Sequence, residues 1–154
     1  MKTLRWMLLA VSWLLVAFTQ RVNTLEEIRI GFGKMASDKE LCQQSINQLK
    51  AMQAQSATHL GYLGGLQTIW ANHAFNPINK WTTFSSGKKN IERAIQLEPH
   101  NAELRFIRLS VQKNAPSFLG YNTHIQTDKA FLKMNRKQLK SVHVEAYVDA
   151  LLNE

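Results

Sequence analysis

The sequence predicts an all-α domain, and three observations carry that expectation. Apolar residues recur at three- and four-residue spacing over most of the chain. Nowhere do apolar and polar residues alternate over the length of a strand. Capping and breaking residues divide the periodic stretches into segments of helical length. With 154 residues, 45% of them hydrophobic, the chain has enough apolar side chains for one core. A charged fraction of 19% is too low for a disordered polyelectrolyte.

The first element stands outside that core. Lys2 and Arg5 precede an apolar run from Met7 to Phe18, and Ala17 and Thr19 place small side chains at its exit. This is the pattern of a secretory signal peptide, and the run is shorter than the ~20 apolar residues that cross a bilayer. Residues 1–19 are therefore expected to be cleaved, leaving 20–154 as a single all-α domain, periplasmic or secreted, with no stable membrane insertion. Losing Lys2 and Arg5 lowers the formal charge from +8 to +6. Cys42 is the only cysteine, so the chain can form no internal disulfide.

A short element bearing Leu25, Ile28 and Phe32 comes next. Ser37 with Glu40 three residues later reads as a capping box that opens a helix to about Gln53, with Cys42, Ile46, Leu49 and Met52 as its stripe. A helix from about Ser56 to His73 places Tyr62, Leu66, Ile69 and His73 on one face. Gly61, Gly64 and Gly65 cluster on another, which is tolerable only where a second helix packs closely. Pro77 interrupts the pattern, and Trp81 to Leu97 resumes it with Phe84, Ile91, Ala94 and Ile95 inward and Lys88, Lys89, Glu92 and Arg93 outward. Pro99 stops that helix. Asn101 caps another to about Lys113, with Leu104, Ile107 and Val111 inward and Arg105, Arg108 and Gln112 outward. After the Pro116 loop, helices over about His124 to Met134 and Arg136 to Leu152 complete the chain.

The segment AIQLEPHNAE, Ala94 to Glu103, resembles the junction of a tetratricopeptide (TPR) repeat, where a helix ends in Ala followed five residues later by Pro. The TPR spacing of Trp, Leu, Gly and Tyr is not met, the connection from Ala74 to Lys80 reads as longer than a TPR hairpin, and no second junction follows. The expected fold is thus a TPR-like set of five to seven helices in antiparallel hairpins. Through GYLGGLQTIWANHAFNP, GKKNIERAIQLEPHNAELRF and NAPSFLGYN the chain also resembles a family of uncharacterised secreted helical proteins from Bacteroidota. That resemblance implies a helical fold and export, and no chemistry.

Catalytic and cofactor motifs do not assemble. Gly31 to Ala36 fits the letters of a dinucleotide-binding turn, but no buried strand leads into it and no acidic residue follows at the ribose position. The five histidines lack a local pair at metal-ligand spacing, so no metal or other cofactor is expected. Cys42, on an apolar stripe, reads as a buried and inert thiol. The carboxylates stand beside Lys or Arg or near helix starts, where they serve solubility and the helix dipole.

Two loops combine aromatics with Asn and Pro. His73, Phe75, Asn76 and Trp81 form one set, and Phe118, Tyr121 and Asn122 the other. Loops this apolar are expected to pack under neighbouring helices; an exposed version would be a recognition surface. The leading reading is a non-catalytic module that binds a protein or peptide. A second is an enzyme or metal protein whose site is assembled from distant residues such as His73, Asn76 and Tyr121. A third is binding to an anionic surface: Lys129, Lys133, Arg136, Lys137 and Lys140 would share one face of a continuous helix. Nucleic acid is not expected as a partner, because export separates the chain from it and no aromatic side chain interleaves the stripe.

Overall fold

The computed structural model describes residues 24–52 and 56–153, and the expected signal peptide lies outside them. Among the described residues there are seven α-helices and no strand. They are α1 (24–31), α2 (Lys39–Ala51), α3 (Ala57–His73), α4 (Pro77–Leu97), α5 (Ala102–Asn114), α6 (Ile125–Asn135) and α7 (Val142–Asn153), with 3-10 turns at Lys34–Ala36, Ser117–Leu119 and Arg136–Gln138.

Local chemistry accounts for most boundaries. Ser56 caps α3 by accepting from the His59 amide, and Asn101 caps α5 by accepting from the Glu103 and Leu104 amides. Two expectations are corrected. The cap of α2 is Asp38, which accepts from the Leu41 amide at 2.9 Å, while the Ser37 hydroxyl donates backwards to the Lys34 carbonyl. Pro77 does not interrupt a helix but opens one. It sits in the first turn of α4, where a missing N–H costs nothing, and Asn76 before it accepts from the Ile78 and Asn79 amides. The α3–α4 connection is therefore only residues 74–76.

Helix α3 is the centre of the molecule. It is buried continuously from Gly61 to Leu66, and its partners are α2, α4 and α5, most extensively α4. The clustered glycines have the close neighbours their spacing demands. A Cβ on Gly64 would lie 2.6 Å from the Gly87 carbonyl oxygen of α4, and one on Gly87 would lie 2.5 Å from the Gly64 carbonyl oxygen. Gly65 faces Ile107 and Phe32, and Gly61 faces Leu104. Phe32, Tyr62 and Phe106 then meet edge to face at centroid distances of 5.4 and 5.8 Å, and Tyr147 of α7 stacks on Phe106.

A third correction concerns α5. Arg105, Arg108 and Gln112 were placed outward, yet Arg108 and Gln112 are buried, because α6 covers that face. Arg108 donates to both oxygens of the fully buried Asp128 of α6, at 2.7 Å each, and to Glu92 of α4 at 2.9 Å. Arg105 adds a 3.3 Å contact to Asp128, and the Tyr121 hydroxyl donates to Glu92 at 2.7 Å. At the other end of α5, Arg29 forks onto Glu103 at 2.6 and 2.8 Å, and the Tyr62 hydroxyl donates to the same carboxylate. Burial alone would lower the pKa of Arg108 and of Arg29. The hydrogen bonds and charges of Asp128 and Glu103 more than reverse this, and both end above the ordinary arginine value.

Two measurements follow. Gly64→Ala gains about 1 kcal/mol of helix propensity but drives a methyl group into backbone. It is expected to lower Tm by roughly 5–10 °C, whereas Gly120→Ala, at a positive φ in open space, costs only about 1 kcal/mol. In urea unfolding, Asp128→Ala is expected to lose about 3–5 kcal/mol by stranding Arg108. Removing Arg136, whose partner Asp149 is also exposed, is expected to leave the midpoint unchanged.

Candidate functional site

A concavity of about 580 Å³ opens at the end of the α3–α4 hairpin nearest its turn. One wall is the last turns of α3, with Thr68, Ile69, Ala71 and Asn72. The second is the first turns of α4, with Pro77, Lys80, Trp81 and Phe84. The third is the end of α5, with Ser110, Val111 and Asn114, continued by Ala115, Pro116, Phe118 and Leu119; Phe32, Gly33 and Ala36 close the far side. The size suits a small molecule or a few side chains of a partner.

Phe84 is buried, and its ring meets Tyr121 edge to face at 6.1 Å. Trp81 and Phe118, by contrast, are 58% and 84% exposed at the groove's rim. Phe75 in the connection and Ile78 in the first turn of α4, one helical turn before Trp81 and Thr82, are 95% and 72% exposed. The expectation that the two loops pack under neighbouring helices is therefore corrected for Phe75, Trp81 and Phe118. Phe118 is held outward by a 3-10 turn in which the Leu119 and Gly120 amides donate to the Pro116 and Ser117 carbonyls, and Gly120 leaves it at φ 59°.

The remaining loop residues have structural partners or face solvent. His73 contacts the Met35 carbonyl through Nε2 at 3.1 Å, Asn76 is the cap of α4, and Asn122 is exposed. Tyr121 is buried, and burial together with its bond to Glu92 pushes its phenol far above the ordinary value, so it stays protonated. His73, Asn76 and Tyr121 are absent from the lining of the groove, and no cluster of three or more His, Cys, Asp or Glu at metal-binding distance occurs among the described residues. Sequence reasoning missed Thr68, Asn72, Lys80 and Ser110 as polar groups of the groove, to which Asn114, at the start of the second Pro loop, also belongs. Asn114 uses its amide nitrogen on the Ser110 carbonyl, leaving its oxygen as an acceptor.

The basic stripe is also corrected. Helix α6 ends at Asn135, and Arg136–Gln138 form a separate 3-10 turn. Arg136 forks onto Asp149 of α7. Lys129 and Lys133 therefore lie on α6, Arg136 and Lys137 in the turn, and Lys140 beyond it, without the shared helix face a continuous helix would have provided.

Cys42 is fully buried, and its thiol donates weakly to the Leu66 carbonyl at 3.6 Å. Burial, reinforced by the charge of Asp38, pushes its pKa up from 9.0 to about 11. At neutral pH the thiolate fraction is thereby reduced about 100-fold. A native chain is expected to react with a disulfide reagent at least ~100-fold more slowly than the urea-unfolded chain. Because the folded value lies above the unfolded one, the thiol's contribution to stability is intact below pH 9 and is lost as pH rises to about 11. Cys42→Ser should remove that part of the alkaline decline.

No family model matches the chain, and no similar curated protein or solved structure is found. The fold and the groove therefore carry the functional reading by themselves.

Proposed function

We propose that this chain is an exported, non-catalytic interaction module that holds apolar side chains of a protein or peptide partner in the groove between α3, α4 and the end of α5. The observation that carries the proposal is the exposure of Trp81 and Phe118, which line two different walls of one concave, largely apolar surface. Covering an exposed aromatic or aliphatic side chain of this size contributes about 2 kcal/mol. Exposed apolar groups gathered around one concavity mark an interaction site more often than scattered ones do.

Two further features support the reading. The segment from Lys2 to Thr19 has the charge and length of a signal peptide, which supports reading the mature chain as exported. Helices α4 and α5 are joined across residues 98–101, with Ala94 fully buried and Pro99 after the helix end, which supports reading the junction as TPR-like. Helical hairpins of this kind present preformed grooves to partner segments.

Selection of a displayed random peptide library against the purified chain tests the proposal. Enriched peptides should be rich in aromatic and long aliphatic residues. Trp81→Asp with Phe118→Asp should weaken their binding at least ~10-fold while shifting Tm by no more than ~2 °C, because exposed side chains make few native contacts. Peptides that bind the double variant as well as the parent would remove the groove from consideration.

A further inference from the structure

The charges around the groove are one-sided. Of the side chains lining it, only Lys80 is charged, and Lys80 makes no ion pair among the described residues. The asymmetry extends through every segment that builds the walls. Residues 28–37, 41–91 and 104–127 contain no Asp or Glu at all, although the chain has 11. Those stretches include the whole of α3, α4 as far as Ile91, and α5 from Leu104 onward. Asp and Glu are found instead in α1, at the start of α2, near the α4–α5 connection and in α6 and α7. Glu92, Glu103 and Asp128 among them are already occupied, Glu103 by Arg29 and the other two by the buried Arg108.

An uncompensated cation in a groove with apolar walls has two effects on a ligand. A carboxylate entering it finds a partner with no internal competitor; because Lys80 is exposed, the pair forms at the water boundary, where it is modest in strength and screened by salt. A cationic ligand meets repulsion with nothing to offset it. Asn72 and Ser110 add neutral hydrogen-bonding groups and no further charge.

We propose, resting on the reading of the groove as a peptide site, that the segment it takes is acidic: apolar anchor residues flanked by Asp or Glu, with a carboxylate paired to Lys80. The anchors cover Trp81 and Phe118, and the acidic flank selects among apolar segments that would otherwise fit equally well.

Three labelled peptides with the same leucine and phenylalanine anchors, flanked by glutamate, glutamine or lysine, test this by fluorescence polarisation. The glutamate peptide should bind the full chain about 3- to 5-fold more tightly than the glutamine peptide, a margin that shrinks in 1 M salt, and the lysine peptide should bind most weakly. Lys80→Gln should erase the difference between glutamate and glutamine while leaving the glutamine peptide's affinity unchanged within about twofold. Trp81→Asp with Phe118→Asp should weaken all three. Equal binding of glutamate and glutamine peptides, lost in the double variant, overturns the acidic selectivity and leaves the groove as a peptide site. Failure of all three to bind overturns both readings. Binding to phosphatidylglycerol vesicles without peptide binding overturns them in favour of a membrane surface, and self-association that covers Trp81 does so in favour of a second copy of the chain.

Discussion

Gly64 and Gly87 bring the backbones of α3 and α4 into direct contact, and the positions of the other helices follow from that approach. Any side chain at either position would have to share space with a carbonyl oxygen of the opposite helix. Helices packed through ordinary side chains keep their axes 8–10 Å apart, and paired glycines permit a closer crossing. Gly61 and Gly65 let Leu104, Ile107 and Phe32 approach α3 on another side. Each glycine costs α3 about 1 kcal/mol of helix propensity relative to alanine. The Ser56 cap and continuous burial from Gly61 to Leu66 offset that cost, so the helix is stable only in place between its neighbours.

Helix α5 meets a different constraint, because it is covered by α3 on one side and by α6 on the other. A helix covered in this way is usually apolar all round. Instead α5 carries Arg105 and Arg108 on the α6 side, with Asp128 and Glu92 answering them and Tyr121 completing the set. Such networks add little net stability over apolar packing, but they tolerate few alternative registers, since a shifted helix leaves a buried charge alone. Here they fix α6 against α5 and tie Tyr121 to α4. The segment carrying Phe118 is thereby held between the end of α5 and a buried tyrosine, and one rim of the groove is set by an ion network remote from it.

Much of this was written locally in the chain. The caps Ser56 and Asn101, the stop at Pro99 and the need for a close neighbour at the glycines all follow from residue chemistry that does not depend on distant partners. What was not legible depends on such partners. Periodicity identifies a polar face but cannot say that a second helix covers it, so Arg108 and Gln112 read as solvent-facing. Pro77 has two meanings, breaker and first-turn residue, and Asn76 before it was the sign that favoured the second. The stretch from Asn135 to Ser141 has no Gly or Pro to end a helix. It turns because Leu139 is buried and Ser141 donates to Glu26 across the fold. The groove was half visible. Its aromatics stood out in the Pro loops, but an apolar loop reads the same whether buried or exposed, and Asn72, Lys80 and Ser110 look like ordinary helix-face residues.

The groove's exposed residues are hard to explain by folding. Phe84 and Leu119 pack against the core beneath it, whereas Trp81 and Phe118 are exposed and make few contacts that a polar residue would forfeit. Concentrating them at one site raises the risk of aggregation and brings the native state little in return. The proposed binding role would account for them. The walls that carry them are fixed from behind, α3 and α4 by the Gly64–Gly87 contact and the end of α5 by the Arg108 network. A partner would then enter a groove already shaped, with little ordering cost to set against the area it covers. Affinity would depend mainly on how completely the partner's own apolar groups shield Trp81 and Phe118 from water, and charge on which of several such partners is retained.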